Sequence, residues 1–164
     1  MAGDSTGANL AAAAALALRD RGTALALQAL MYPATDLRPE AMRAFASRTE
    51  FAADYLLDRA SIEWSIGNYL RHESDASDWR ASPMLAPSLA GVAPAYVLTA
   101  GFDPLRDEGR AYAARLLAEG VTATSECFEG QVHGFINLGG TMAAAPHAMY
   151  RVGQALRSAF RKIE

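Results

Sequence analysis

Residues 3–13 read GDSTGANLAAA, with a serine between two glycines directly before an alanine-rich stretch. The glycines and Ser5 fit the pattern G-x-S-x-G, which is typical of a sharp turn from a strand into a helix that exposes the serine hydroxyl. A simpler interpretation stays open, because Asp4 or Ser5 would also serve as the N-cap of that helix. Only Met1 and Ala2 precede the turn, so the sequence predicts the helix but no strand before it.

The rest of the chain alternates between helical patterns and short apolar runs. The main helices are predicted over 6–21, 104–118 and 142–162. Buried strands are predicted over 24–32, 95–100 and 122–128, although a helix competes for the first of these segments. Parallel strands need crossover connections, which helices provide, so the alternation predicts an α/β domain with about three parallel strands flanked by helices.

The region 38–80 is less regular than its surroundings. It holds a charged stretch, a helical pattern near 51–70 and a polar segment, and it is interpreted as an insertion into the layered fold. A chain of 164 residues suits one domain, so 1–164 is expected to be a single unit that carries this insertion.

Composition excludes several classes of function. Fifteen Lys plus Arg against eighteen Asp plus Glu give a net charge of −3, which disfavours nucleic acid as a partner. The longest apolar run, 10–18, is far shorter than the ~20 residues that span a bilayer, and the chain does not open on a signal peptide. We therefore expect no membrane span and a cytoplasmic location. The single cysteine, Cys127, cannot form an internal disulfide and is expected to be a buried thiol.

Carboxylates follow the predicted strand 95–100. Asp103 would lie just past the carboxyl end of that strand, where sites in open α/β sheets gather. It precedes a proline, so this aspartate viewed alone is better explained as a helix N-cap. Asp107 and Glu108 lie in the first turn of the next helix, where negative charge suits the helix dipole, and they are interpreted as structural and solvated.

Histidine supplies the remaining candidate. His133 lies in a glycine-flanked loop after the third predicted strand, whereas His72 and His147 fall in polar or helical contexts typical of the surface. Each candidate alone is weak. Together, Ser5, Asp103 and His133 occur in the order that α/β-hydrolases use for a nucleophile, an acid and a base.

At this point the sequence resembles the bacterial hormone-sensitive-lipase-like serine esterases of the α/β-hydrolase fold. The matching stretches are GDSTGANLAAA at 3–13, MYPATDL at 31–37, WRASPMLAP at 79–87, PAYVLTAGFDPLRDEG at 94–109 and CFEGQVHGFINL at 127–138. The resemblance implies that Ser5 is the nucleophile, Asp103 the acid and His133 the general base. It also implies that the backbone N–H of Thr6 contributes to the oxyanion hole, with no metal or organic cofactor. Thr6 and Ala8 depart from the alanine and glycine more usual in the family.

The stretches resemble the C-terminal half of such an enzyme, because nothing in the sequence matches the family's HGGG-type segment. The expected function is a serine carboxylesterase that hydrolyses short-chain acyl esters, impaired by the missing oxyanion-hole amides. The alternative is a non-catalytic hydrolase module that folds by pairing with another chain. A phosphate-binding loop is disfavoured, since the turn lacks the Lys-Ser/Thr ending.

The resemblance also makes residues 38–80 part of a cap over a small-molecule ester site. Six apolar side chains of this insertion are candidates for the pocket wall: Phe45, Phe51, Tyr55, Leu56, Trp64 and Tyr69. With no strand predicted before Ser5, strand 24–32 would present an unpaired edge. That edge predicts a homo-oligomer.

Overall fold

A sheet of four parallel strands, in the order β1-β2-β3-β4, organises the computed structural model, which describes residues 1–161. The strands are β1 (Ala2–Asp4), β2 (Gln28–Met31), β3 (Ala95–Phe102) and β4 (Ala123–Val132). The helices are α1 (Thr6–Asp20), α2 (Ala41–Ala44), α3 (Ser47–Glu50), α4 (Arg59–Tyr69), α5 (Arg106–Ala118) and α6 (Ala144–Phe160). The predicted α/β class with a parallel sheet is confirmed, with four strands where about three were expected.

The additional strand is β1, directly before the serine turn. It pairs with β2, and its register places Gly3 beside Leu30. The terminal amino group also donates to the Leu27 carbonyl at 2.8 Å. The expectation that segment 24–32 leaves an open edge is therefore wrong: it forms a strand at 28–31, not a helix, and both of its edges are paired.

Two apolar layers cover the sheet. One packs α1 and α5 against it, around Leu16, Leu30, Val97, Tyr112 and Leu116. The other packs α6 against the opposite face, around Tyr96, Leu98, Phe135, Ala148 and Val152. Because both faces are covered, β2 and the first seven residues of β3 are buried throughout, as the continuous apolar runs predict.

Most other predicted bounds hold within a few residues. The strand predicted at 122–128 extends to Val132, and the final helix predicted over 142–162 covers Ala144–Phe160, with position 162 outside the described residues. Residues 38–80, interpreted from the sequence as an insertion, contain α2, α3, α4 and a 3₁₀ turn at Glu73–Ser77. Among the described residues, no helix combines the length and apolar character needed to cross a membrane.

Candidate active site

Ser5 occupies a strained turn between β1 and α1. Its φ of 52° lies in the left-handed region, which costs a non-glycine residue of the order of 1–3 kcal/mol. Its N–H donates to the Met31 carbonyl at 2.9 Å, and its own carbonyl accepts from Ala8 and Asn9. The side chain makes no capping hydrogen bond although Ser5 occupies the N-cap position. The hydroxyl is therefore available for other partners.

The two glycines of the turn have different steric roles. A Cβ on Gly3 would lie 2.2 Å from the Gly7 carbonyl oxygen, so β1 can approach the start of α1 this closely only with glycine at position 3. A Cβ on Gly7 would have Asp4 Oδ1, at 3.9 Å, as its nearest neighbour. Ala8, where the family more often has glycine, is fully buried in the core without disturbing the turn.

Asp103 lies just beyond the carboxyl end of β3 and is fully buried. Its Oδ1 accepts the Leu105 N–H at 2.8 Å, and its Oδ2 lies 2.8 Å from His133 Nδ1. The N-cap position of α5 belongs to Leu105, not to Asp103. One carboxylate therefore orders the turn with one oxygen and faces the imidazole with the other.

His133 follows β4 directly and connects the other two side chains. Its Nε2 lies 2.8 Å from Ser5 Oγ, opposite the contact between Nδ1 and Asp103. A carboxylate can only accept, so the tautomer that satisfies both contacts carries its proton on Nδ1 and accepts the serine hydroxyl at Nε2. The structure thus brings together the three side chains that the sequence nominated, across 128 residues of chain.

Tyr32 is a neighbour of this group that the sequence analysis missed. Its ring centroid lies 4.6 Å from that of His133, it is fully buried, and its φ is 39°. Burial raises the pKa of its hydroxyl, and the nearby carboxylates of Asp4 and Asp103 raise it further. Tyr32 therefore stays neutral and covers one side of the imidazole.

The structure confirms some of the other predictions of exposure and burial and contradicts others. His72 and His147 are exposed, as expected. Glu108 is fully buried, so its interpretation as solvated is wrong, and Asp107 is partly buried. Cys127 is half-buried, so its predicted burial is only partial. Within residues 1–161, no cluster of three or more His, Cys, Asp or Glu side chains could hold a metal ion.

A cavity of about 400 Å³ opens beside Ser5. Its wall is mainly apolar and includes Leu10, Leu37, Ile62, Trp64, Ile66 and Tyr69. Trp64 and Tyr69 were among the predicted wall residues. The other four candidates, Phe45, Phe51, Tyr55 and Leu56, are not in the wall. Phe51 packs edge-on against Phe102 instead, with 5.8 Å between ring centroids.

Comparison with known proteins assigns the family. A family model described as the alpha/beta hydrolase fold matches residues 1–137. The chain belongs to the α/β-hydrolases. The resemblance to their hormone-sensitive-lipase-like branch, inferred from the sequence stretches, is confirmed by this match and by esterase relatives.

Named relatives of this α/β-hydrolase are esterases. It is 40% identical to the carboxylic ester hydrolase LipN of Mycobacterium tuberculosis, over 90% of this chain and 40% of that protein. It is 34% identical to an ethyl acetate hydrolase of Pseudomonas putida, over 94% of this chain and 48% of that protein. The solved structure of EstE1, a thermostable carboxylesterase from a metagenomic library, superposes with a TM-score of 0.90 at 37% identity, over 96% of this chain and 53% of that chain. This α/β-hydrolase thus spans about half the length of the relatives it matches.

The start of α1 in this α/β-hydrolase presents a backbone donor beside the serine. Thr6 is the first residue of the helix, and its N–H has no acceptor among the described residues. The first N–H groups of a helix point outward from its end and favour negative charge there. A negatively charged oxygen next to Ser5 would therefore meet this donor.

Proposed function

We propose that the chain carries the nucleophile, base and acid of a serine carboxylesterase. The observation that carries the proposal is the continuous hydrogen-bonded relay from Ser5 Oγ through His133 to Asp103, with 2.8 Å at each step. The esterase names of the relatives support the same reaction class. Ser5, at one end of this hydrogen-bonded relay, lines a cavity large enough for a small ester.

In the proposed reaction, His133 Nε2 takes the hydroxyl proton while Ser5 Oγ bonds to the ester carbonyl carbon. The tetrahedral intermediate collapses, the C–O bond to the alcohol breaks, and the imidazolium returns the proton to the leaving alcohol. Water then attacks the acyl-serine by the same proton path and releases the acid. Asp103 holds the imidazole and stabilises its cation, and its complete burial strengthens that interaction.

The Thr6 N–H is the proposed oxyanion donor contributed by this part of the fold. Removing one donor from an oxyanion hole typically costs ~10²–10³ in kcat. The described residues offer this one amide beside Ser5, so we propose that residues 1–164 supplied alone turn over slowly. The relatives are about twice as long, and a further segment would be the source of additional donors.

Covalent labelling tests the nucleophile. An ester-like organophosphonate is expected to add once per chain at Ser5, because the relay activates that hydroxyl alone. Ser5→Ala and His133→Ala should both lose the adduct, whereas Ser61→Ala, an exposed serine on α4, should keep it. Intact-protein mass spectrometry with peptide mapping measures the site. A non-catalytic module would give no adduct, and equal labelling of Ser5→Ala would rule out the proposed nucleophile.

We propose a preference for short acyl chains. Trp64 and Tyr69 at the cavity wall are 71% and 50% exposed, so a long chain would leave much of its length in water. Each methylene gains only ~0.8 kcal/mol even when fully buried. We expect a higher kcat/KM for p-nitrophenyl butyrate than for the dodecanoate, measured below the concentration at which the long ester aggregates. The reverse order would contradict an open pocket.

A cytoplasmic location and a homo-oligomer remain predictions. The edge of segment 24–32, on which the predicted homo-oligomer rested, is covered by β1. The outer edges of β1 and β4 have no strand partner among the described residues. A free edge is a template for pairing with another chain. We propose that any homo-oligomer forms through one of these two edges.

A further inference from the structure

Helix α3, within residues 38–80, is hydrogen-bonded to the turn that carries Asp103. Ser47, the first residue of α3, is fully buried, and its Oγ donates to the Pro104 carbonyl at 2.8 Å. The Asp107 N–H donates back to the same Oγ at 3.1 Å, and the Ser47 N–H donates to Asp107 Oδ2 at 2.9 Å. Three hydrogen bonds therefore join one residue of the insertion to both sides of the turn between β3 and α5.

Arg48, the residue after Ser47, also joins α3 to the start of α5. The Arg48 guanidinium contacts Glu108 Oε2 through Nε at 2.6 Å and Nη2 at 2.5 Å, with both side chains buried. It also donates to the Asp36 carbonyl at 3.2 Å, and Glu108 Oε1 accepts the Thr35 N–H at 2.6 Å. The loop after β2, helix α3 and the first turn of α5 are thus joined through one buried ion pair.

Other contacts also hold the turn. Asp103 accepts the Leu105 N–H at its side chain and the Arg106 N–H at its carbonyl, and the Arg106 side chain donates to the Gly101 carbonyl at 3.1 Å. The carbonyl of Pro104, directly after Asp103, has Ser47 as its hydrogen-bond partner among the described residues. Ser47 therefore acts on the residue adjacent to the carboxylate that faces His133.

From these contacts we propose that Ser47 is a positioning residue that holds the Asp103 carboxylate against His133, so that the insertion and the catalytic relay are mechanically coupled. The inference rests on the proposed function. Ser47 is not part of the cavity wall, so it makes no direct contact with a substrate held there. A displacement of ~1 Å in such a group can cost ~10² in rate.

The kinetic test compares Ser47→Ala with Thr49→Ala. Thr49 lies in the same helix, but it is exposed, and its hydroxyl donates to the Met42 carbonyl and not to the Asp103 turn. For Ser47→Ala we expect kcat to fall at least about tenfold with KM within about twofold of the unaltered chain. Thr49→Ala should leave both constants unchanged. A purely structural role would lower the melting temperature without this division between kcat and KM.

A spectroscopic measurement tests the role of Ser47 without measuring turnover. The proton on His133 Nδ1, held at a 2.8 Å contact with a buried carboxylate, should resonate far downfield in the proton NMR spectrum. The signal should vanish in Asp103→Asn, move upfield or broaden in Ser47→Ala, and stay in Thr49→Ala. Should Ser47→Ala fail to fold, Asp107→Ala should shift the signal in the same direction, because it removes the acceptor of the Ser47 N–H together with the ion pair to Arg106.

The outcomes separate this inference from the proposed function. If the downfield signal responds to Ser47→Ala but no ester is hydrolysed, the esterase proposal fails and the positioning role stands. If Ser47→Ala keeps the signal and its kcat, Ser47 only stabilises the fold and the inference is overturned. It is equally overturned if the unaltered chain shows no downfield signal, since there would be no short contact for Ser47 to maintain.

Discussion

Asp103→Asn is expected to lower kcat for p-nitrophenyl butyrate by ~10⁴, the scale of the same change in another serine hydrolase. The decrease in kcat follows from the hydrogen bond between the turn and the side chain at position 103. The Leu105 N–H lies 2.8 Å from one side-chain oxygen, so the asparagine must keep its own oxygen there and turn its NH₂ toward His133. Nδ1 then has to accept, the imidazole proton moves to Nε2, and Nε2 can no longer take the proton of Ser5.

The fold itself should tolerate Asp103→Asn, because the substitution keeps the side-chain shape and the bond to Leu105. Its melting temperature is the control. Where turnover is too slow to measure, the second-order rate of phosphonate labelling at Ser5 reports the same activation. A labelling rate within about tenfold of the unaltered chain would contradict the assigned role of Asp103.

The second large effect concerns stability. Arg48→Met is expected to reduce the free energy of unfolding by ~3–5 kcal/mol, because it leaves the buried Glu108 carboxylate without its cation. Arg59→Met offers a control. Arg59 pairs with Glu63 on α4, and the two side chains are 58% and 55% exposed, so we expect a loss within ~1 kcal/mol. Urea unfolding followed by circular dichroism measures both losses.

The loss in Arg48→Met should grow with pH. Burial raises the pKa of Glu108 from 4.5 to about 7, against the opposing charge of Arg48, and removing Arg48 raises it further. A carboxyl whose pKa is higher in the folded state binds more protons there than in the unfolded chain, so stability falls as pH rises through this range. The gap between variant and unaltered chain should therefore be wider at about pH 8 than at about pH 5.

A double variant separates charge from packing. Arg48→Met with Glu108→Leu removes both buried charges and should recover much of the stability lost in the single variant, without the pH trend. A single Arg48→Met variant as stable as the unaltered chain at about pH 8 would show that Glu108 is not held by that ion pair.

The layered fold was predictable because the sequence patterns of its main strands and helices extend over many residues. The apolar run in β3 and the alanine-rich α1 each bury a continuous surface, and their patterns extend over many residues. Strand β1 was missed because its three residues, Ala2–Asp4, are too short to carry any periodicity. Its structure depends on the register with β2, which is a long-range property of the sheet.

The site was predictable in its residue types and their order, but not in its support. Ser5, Asp103 and His133 are each weak candidates alone, and their order along the chain is what predicts that they belong together. Glu108 could not be assigned locally, because an acid in the first turn of a helix is already explained by the helix dipole. Its actual partner, Arg48, lies 60 residues earlier in the chain. Likewise, Tyr32 follows a strand with no local sign that its ring will cover the imidazole.

The serine turn has a consequence for how such chains are recognised in sequence data. The two glycines of its five-residue signature are written as equivalent, yet only Gly3 is required by the backbone contact at 2.2 Å. At Gly7 the nearest neighbour of an added methyl group would be at ordinary van der Waals distance. A search that demands both glycines therefore discards sequences with alanine at the second position that could build the same turn. A pattern weighted by these contacts would keep the first glycine strict and relax the second.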